Sequence, residues 1–170
     1  MPIQNTFFNT PVGIIEVRTT GEYISAVLFV NTAEHIETTK KAIELNLPVH
    51  PLLIECTMQL NEYFAGERTQ FDLPLQQTGS EFQQGVWSAL IDIPYGRTIS
   101  YLELSKRIGN VKAIRAVGTA NGSNSISIIV PCHRVIGSNG SLTGYGGGLW
   151  RKKLLLEHEG KYANGVQKLF

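Results

Sequence analysis

The sequence predicts two units in series, an α/β unit followed by a mainly α unit that contains a helix-turn-helix. Two observations carry this. Apolar periodicity mixes strand and helix patterns up to about residue 75 and is mainly helical beyond it. The charge also divides: residues 1–79 hold four Lys or Arg against nine Asp or Glu, net −5, and residues 80–170 hold eleven against five, net +6, within an overall +1. The boundary is placed in the polar Gln76-Gln77-Thr78-Gly79 stretch, giving domains 1–78 and 79–170. A basic second half points to an anionic partner for that half only, although an unequal spread of solvated charges would look the same.

In the first unit, residues 13–19 and 24–30 are rich in Ile, Val and Phe and flank the turn-like Thr20-Gly21-Glu22, the pattern of a hairpin. Helices are expected over 33–45 and 52–65. In the second of these Leu53, Cys56, Leu60 and Phe64 recur at helical spacing and Gly66 stands where a C-terminal cap would. Cys56 reads as a small core residue. A short strand is expected around 71–75.

The second unit opens with a capping box, Ser80 with Gln83, ahead of the apolar face Phe82, Val86, Ala89, Leu90 and Ile93. Pro94-Tyr95-Gly96 ends that helix. Ser100 and Glu103 cap a second helix over 101–108, Gly109 closes it, and a third runs over 112–120. Two short helices joined by a tight Gly-containing turn are a helix-turn-helix candidate. In its second helix Ala113, Ala116, Gly118, Ala120 and Gly122 leave Arg115 as the long side chain, beside the core-type Ile114 and Val117. A smooth helix with one Arg suits a narrow groove and a wedge better than base reading in a wide one. Close packing inside the domain would explain the small residues equally well.

With 170 residues, 42% hydrophobic and 17% charged, the chain can bury a substantial core. No apolar run approaches a membrane span, and residues 1–10 lack the basic start and apolar stretch of a secretory signal, so a cytoplasmic location is expected. Cys56 and Cys132 are too few for a disulfide framework and neither belongs to a CxxC pair. A reduced compartment fits them.

The β-branched run 126–130 reads as a buried strand that delivers the chain into Pro131-Cys132-His133-Arg134-Val135. An ordinary thiol is only a few per cent thiolate at neutral pH, and both an imidazole acting as base and the cation of Arg134 would favour the reactive form. Adjacency is awkward, since neighbours on an extended chain point to opposite sides, so the backbone must bend or a water must bridge. Cys132 as one more buried small residue stays open. A last helix is expected over 149–159, with Arg151, Lys152 and Lys153 in its first turns and Glu157 and Glu159 in its last, charges that oppose the helix dipole. Cations for phosphate and a carboxylate to orient a buried His would account for them; so would a solvated face.

These residues resemble a known family. Phe82-Gln83 with Val86-Trp87, Ile93-Pro94-Tyr95-Gly96, Ser100-Tyr101, Arg115-Ala116-Val117-Gly118, Asn121-Gly122, Pro131 to Ile136, Leu142-Thr143-Gly144-Tyr145 and Leu155 to Gly160 are similar to the O6-alkylguanine-DNA alkyltransferases, also called methylated-DNA-protein-cysteine methyltransferases. The strong likeness covers about half the chain. It implies an RNase H-like α/β N-terminal domain and a winged-helix-like C-terminal domain whose second helix enters the minor groove. By the same resemblance Cys132 is the alkyl acceptor, His133 the base acting through a water, and Glu159 the carboxylate orienting the imidazole. Asn124 holds the turn before the cysteine, Arg115 replaces the extruded base in the stack, and Tyr101 lends a proton to the departing guanine. Tyr145 and the backbone N–H of Gly146 line the O6 side, and the carbonyls of Cys132 and Val135 accept the exocyclic amine.

The implied reaction is irreversible transfer from O6-alkylguanine, and from O4-alkylthymine, in double-stranded DNA to Cys132. It needs no cofactor, metal, membrane or obligate protein partner, and a monomer suffices. Ser125 stands where the family usually has proline and Gly146 where it has Ala or Ser, which bear on the rigidity of the turn and the width of the pocket. Cys56, His35 and His50 make no convincing zinc ligand set. Two other readings remain: a lesion sensor of the same shape, which would lack the reactive cysteine, and a cysteine hydrolase turning over without DNA.

Overall fold

The computed structural model describes residues 2–45 and 50–163, and its chain forms two compact units, Met1–Gln77 and Thr78–Phe170. In the first, β1 (Ile3–Thr10), β2 (Gly13–Thr20) and β3 (Tyr23–Phe29) make an antiparallel sheet in the order β1-β2-β3. Gly13 and Gly21, at φ +98° and +62°, turn the two hairpins with a backbone conformation that a side chain would resist. α1 (Ala33–Leu45) follows, and then α2 (Pro51–Phe64), whose start is capped by the His50 ring accepting from the Leu52 N–H and by Pro51 in the first turn. Leu53, Cys56, Leu60 and Tyr63 bury the inner face of α2.

β1 went unread in the sequence, because Asn5 and Asn9 interrupt its pattern, yet it pairs with β2 along its whole length. One expectation for this unit needs correction. Residues 71–75 form no strand beyond one parallel bridge, Ile24 to Leu75. The buried Gln59 side chain satisfies the Asp72 backbone instead, with Nε2 donating to its carbonyl at 3.0 Å and Oε1 accepting its N–H at 2.9 Å.

The second unit begins with α3 (Glu81–Ile91), and its Ser80–Gln83 capping box is fully formed. α4 (Tyr101–Arg107) is capped by Ser100 and followed by Gly109 at φ +81°. A short 3₁₀ turn, Val111–Ala113, leads into α5 (Ile114–Gly122), completing the helix-turn-helix. α5 packs on α3 and α4, and the Trp87 indole N–H donates to the Ala120 carbonyl at 2.9 Å. β4 (Ile99–Ser100) and β5 (Val135–Ile136) pair in parallel, Ile99 opposite Val135, and α6 (Leu149–Ala163) closes the unit.

The run 126–130 is not a strand. It is a buried turn, with Ile129 N–H bonded to Ser127 O at 2.8 Å and Val130 N–H to Ile126 O at 3.0 Å. Ile128 sits at φ +71°, a conformation that costs a β-branched residue on the order of 1–3 kcal/mol. β-branched residues announced burial correctly, but the polar backbone is satisfied by the Asn124 side chain rather than by a neighbouring strand.

Candidate active site

Cys132 opens a one-turn 3₁₀ helix, Cys132–Arg134, which supplies the bend that adjacency demands. Cys132 is only 6% exposed. Asn124 reaches it from the turn: its Nδ2 donates to Val130 O at 2.8 Å and to Cys132 Sγ at 3.2 Å, while Oδ1 accepts the Ile126 N–H at 3.0 Å. One amide thus fixes the turn and touches the sulfur.

His133 and Glu159 are fully buried and 2.6 Å apart, Nε2 to Oε2. With Nε2 donating to the carboxylate, Nδ1 is left as the acceptor, and it has no hydrogen-bond partner among the described residues. Glu159 also accepts from Arg134 twice, Nε at 2.8 Å and Nη2 at 3.1 Å, and from the Gly96 N–H at 3.3 Å. Burial alone would raise this carboxyl, but the charges and hydrogen bonds of His133 and Arg134 hold it well below the usual carboxylate range. Gly96, at φ +77°, is needed for this approach, since a Cβ there would meet the Ala163 Cβ at 2.3 Å.

Arg134 therefore does not serve the thiol as the sequence reading expected. Its guanidinium is spent on Glu159 and, through Nη1, on the Ile93 carbonyl at 2.7 Å. The cation that acts on Cys132 is Lys152. Burial pushes the thiol up, and Asn124 and Lys152 pull it down. Lys152 is 0% exposed, donates to Thr143 O at 3.0 Å and Gly144 O at 3.4 Å, and is lowered by its own burial to about 8 despite the attraction of Cys132. Arg151 is buried as well, so neither residue lies on a solvated helix face. A clue was present: Lys152, Leu155, Leu156 and Glu159 lie at helical spacing on one stripe, and all are buried.

Tyr101 donates from its hydroxyl to the Thr143 carbonyl at 3.0 Å. Burial raises its phenol and the charge of Cys132 adds to the rise, against a hydrogen bond with the Thr143 side chain. Tyr145 is raised further, by burial and again by Cys132. Both phenols therefore feel the charge of Cys132. Gly146 is exposed with open space where a Cβ would stand, and Val135 is buried on β5. The Cys132 carbonyl already accepts from the Val135 N–H and from Asn121 Nδ2 at 3.4 Å, a residue the sequence reading left unassigned. Arg115 projects from the exposed side of α5 with no side-chain bond among the described residues. Its neighbour Ile114 is 38% exposed rather than core, which opens this face instead of packing it away. No group of three or more His, Cys, Asp or Glu among the described residues is arranged to hold a metal.

Comparison with known proteins bears on both units. Residues 3–77 match the model for the ribonuclease-like domain of 6-O-methylguanine DNA methyltransferase, and residues 81–161 match the model for its DNA binding domain. A methylated-DNA-protein-cysteine methyltransferase from Methanosarcina acetivorans is 48% identical over 153 residues, 90% of this chain and 96% of that one. One from Mycobacterium tuberculosis is 60% identical over 112 residues, 66% of this chain and 68% of that one. The crystal structure of the Mycobacterium tuberculosis O6-methylguanine methyltransferase superposes with a TM-score of 0.80 at 43% identity, covering 94% and 93% of the two chains. A second structure of that protein, in complex with DNA, scores the same over 93% of each.

Fold and site together define a DNA alkyltransferase of the direct-reversal class. The chain belongs to the 6-O-methylguanine DNA methyltransferase family, with its ribonuclease-like and DNA binding domains in order. Its activity is that of the family, direct-reversal DNA repair by transfer of a methyl group from methylated DNA to a cysteine of the protein.

Proposed function

We propose that Cys132 is the accepting cysteine and that His133, Glu159, Asn124, Lys152 and Tyr101 carry the transfer. The observation behind this is the arrangement of a thiol, an imidazole with one nitrogen committed to a buried carboxylate, and a buried ammonium. His133 takes the thiol proton at Nδ1 through a water, and Glu159 stabilises the resulting imidazolium. The Cys132 thiolate attacks the alkyl carbon, the carbon–O6 bond breaks, and its electron pair stays on the guanine. Tyr101 turns its hydroxyl from Thr143 to the base and gives it a proton, recovered afterwards from the imidazolium through solvent. A thioether is left, and neither water nor a second thiol displaces it.

The lesion reaches the sulfur by extrusion from duplex DNA. α5 lies in the minor groove and Arg115 fills the gap in the stack, offsetting part of an extrusion cost of about a few kcal/mol. Tyr145 and Gly146 face O6 of the guanine. The Val135 carbonyl receives the exocyclic amine, and the Cys132 carbonyl shares it once Asn121 yields. O4-alkylthymine presents the same alkyl–oxygen bond and is the second substrate. The unit boundary follows the division of labour, with residues 1–78 as support and 79–170 holding DNA and acceptor. The protein acts as a monomer in the cytoplasm; no helix among the described residues is long and apolar enough to cross a membrane.

The deciding experiment is mass analysis of the Cys132 peptide after incubation with an oligonucleotide containing O6-methylguanine. One added methyl is expected, stoichiometric with protein and absent from Cys132→Ala. Tight binding without methylation would indicate a sensor, and an unmodified thiol with turnover of esters or amides a hydrolase.

A further inference from the structure

Arg151 is a buried cation with two physical arguments against it. It is 5% exposed, which costs a charged group heavily, and it lies in the first turn of α6, at the positive end of the helix dipole. Burial accordingly lowers its affinity for a proton, and Tyr145 partly restores it. What it does there is visible in its bonds. Nη1 donates to the Gly147 carbonyl at 3.0 Å, and the guanidinium sits 4.5 Å from the ring centre of Trp150. Trp150 in turn lies against Gly148, where an added Cβ would meet the indole at 3.1 Å.

The segment held this way is 143–148, with glycine at 144, 146, 147 and 148. Such a sequence has little preference of its own and loses much conformational freedom when ordered. Its four glycines bring no side chains to fix it, and its carbonyls are held by cations of α6: Thr143 and Gly144 by Lys152, and Gly147 by Arg151. The same segment carries Tyr145, whose phenol is held up by burial and by the charge of Cys132.

We propose that Arg151, seated under Trp150, is a specificity-determining residue that sets how far the glycine-rich segment stands from Cys132 and hence how large an alkyl group is accepted. This rests on Cys132 being the acceptor. A methyl group occupies little of the pocket and is indifferent to a small retreat of the wall. A bulky group is not.

The test compares single-turnover transfer to Cys132 from oligonucleotides carrying O6-methylguanine and O6-benzylguanine. In Arg151→Met the benzyl-to-methyl rate ratio is expected to rise about fivefold or more, a range that pocket contacts of this kind control. Trp150→Ala, at a residue 53% exposed and so compatible with folding, should raise it less. Arg151→Lys, which keeps a cation within reach of one carbonyl, should return the ratio to within about twofold of the starting protein. Faster amide exchange at 146–148 should accompany the rise. An unchanged ratio in Trp150→Ala and in folded Arg151→Met, or an equal loss with both substrates, overturns the proposal. If the unsubstituted protein transfers neither group to Cys132, the acceptor assignment fails instead, and the two failures are distinct.

Discussion

The side-chain amide of Asn124 lies 3.2 Å from the Cys132 sulfur and 2.8 Å from the Val130 carbonyl, so the residue that shapes the turn also touches the proposed nucleophile. Replacing it by alanine leaves the Val130 carbonyl and Ile126 N–H buried without this partner, at about 1–3 kcal/mol for each group so stranded. Asn124→Ala should therefore lower the denaturation midpoint and slow transfer together. Asn124→Asp keeps the acceptor for Ile126 but places a negative charge beside the thiolate. It should slow iodoacetamide alkylation of Cys132 by about tenfold or more, one pK unit of thiol. Equal rates in Asn124→Asp and the starting protein would remove the contact with sulfur from the mechanism.

Lys152 supplies the positive charge that opposes burial of the thiolate. Lys152→Met should reduce both transfer and iodoacetamide alkylation at pH 7. Because Lys152 loses its proton at about 8, its help is present below that pH and fades above it. The difference between the two proteins should narrow as pH rises from 7 to 9. A constant difference would assign Lys152 to holding Thr143 and Gly144 alone.

Cys56 offers a contrast of chemistry. Burial pushes its thiol from 9.0 up to about 12, so it should stay unlabelled by iodoacetamide at pH 8 while Cys132 reacts. The sign of its stability effect follows from the folded value exceeding the unfolded one. Its contribution is complete below pH 9 and is lost as pH climbs toward 12. The stability advantage over Cys56→Ala, measured by urea denaturation, should shrink across that interval.

Arg115→Ala should slow repair of duplex O6-methylguanine by roughly 10–100-fold, the scale of a few kcal/mol lost from base extrusion, and leave reaction with the free alkylated base nearly unchanged. Comparable slowing on both substrates would remove Arg115 from the stack.

Most helices were legible in the sequence because their ends are chemically marked: Ser80 and Ser100 cap, Gly66 and Gly109 terminate. Of the candidate site, the motifs named Cys132, His133 and Glu159 and the resemblance named Asn124, and the fold sets Asn124 against Cys132 and His133 against Glu159. What escaped was set by tertiary packing. Strand β1 depends on β2 for its pairing, and residues 71–75 yield their backbone bonds to a glutamine thirteen residues earlier. The 126–130 turn looks like a strand because apolarity reports burial and not backbone path. Lys152 takes the part expected of Arg134 for the same reason: sequence neighbours on a 3₁₀ turn diverge, whereas α6 brings the charge of Lys152 to bear on Cys132 from twenty positions away.

Ile128 in its left-handed conformation, four residues before the proposed acceptor, has a consequence for how such a molecule works. Catalysts that cycle must reopen to discharge what they made, and stiffness around the reacting atom slows them. Here the group never departs. A taut backbone under the acceptor carries no kinetic penalty when each copy performs its reaction a single time, so the fold is free to favour aim over recovery.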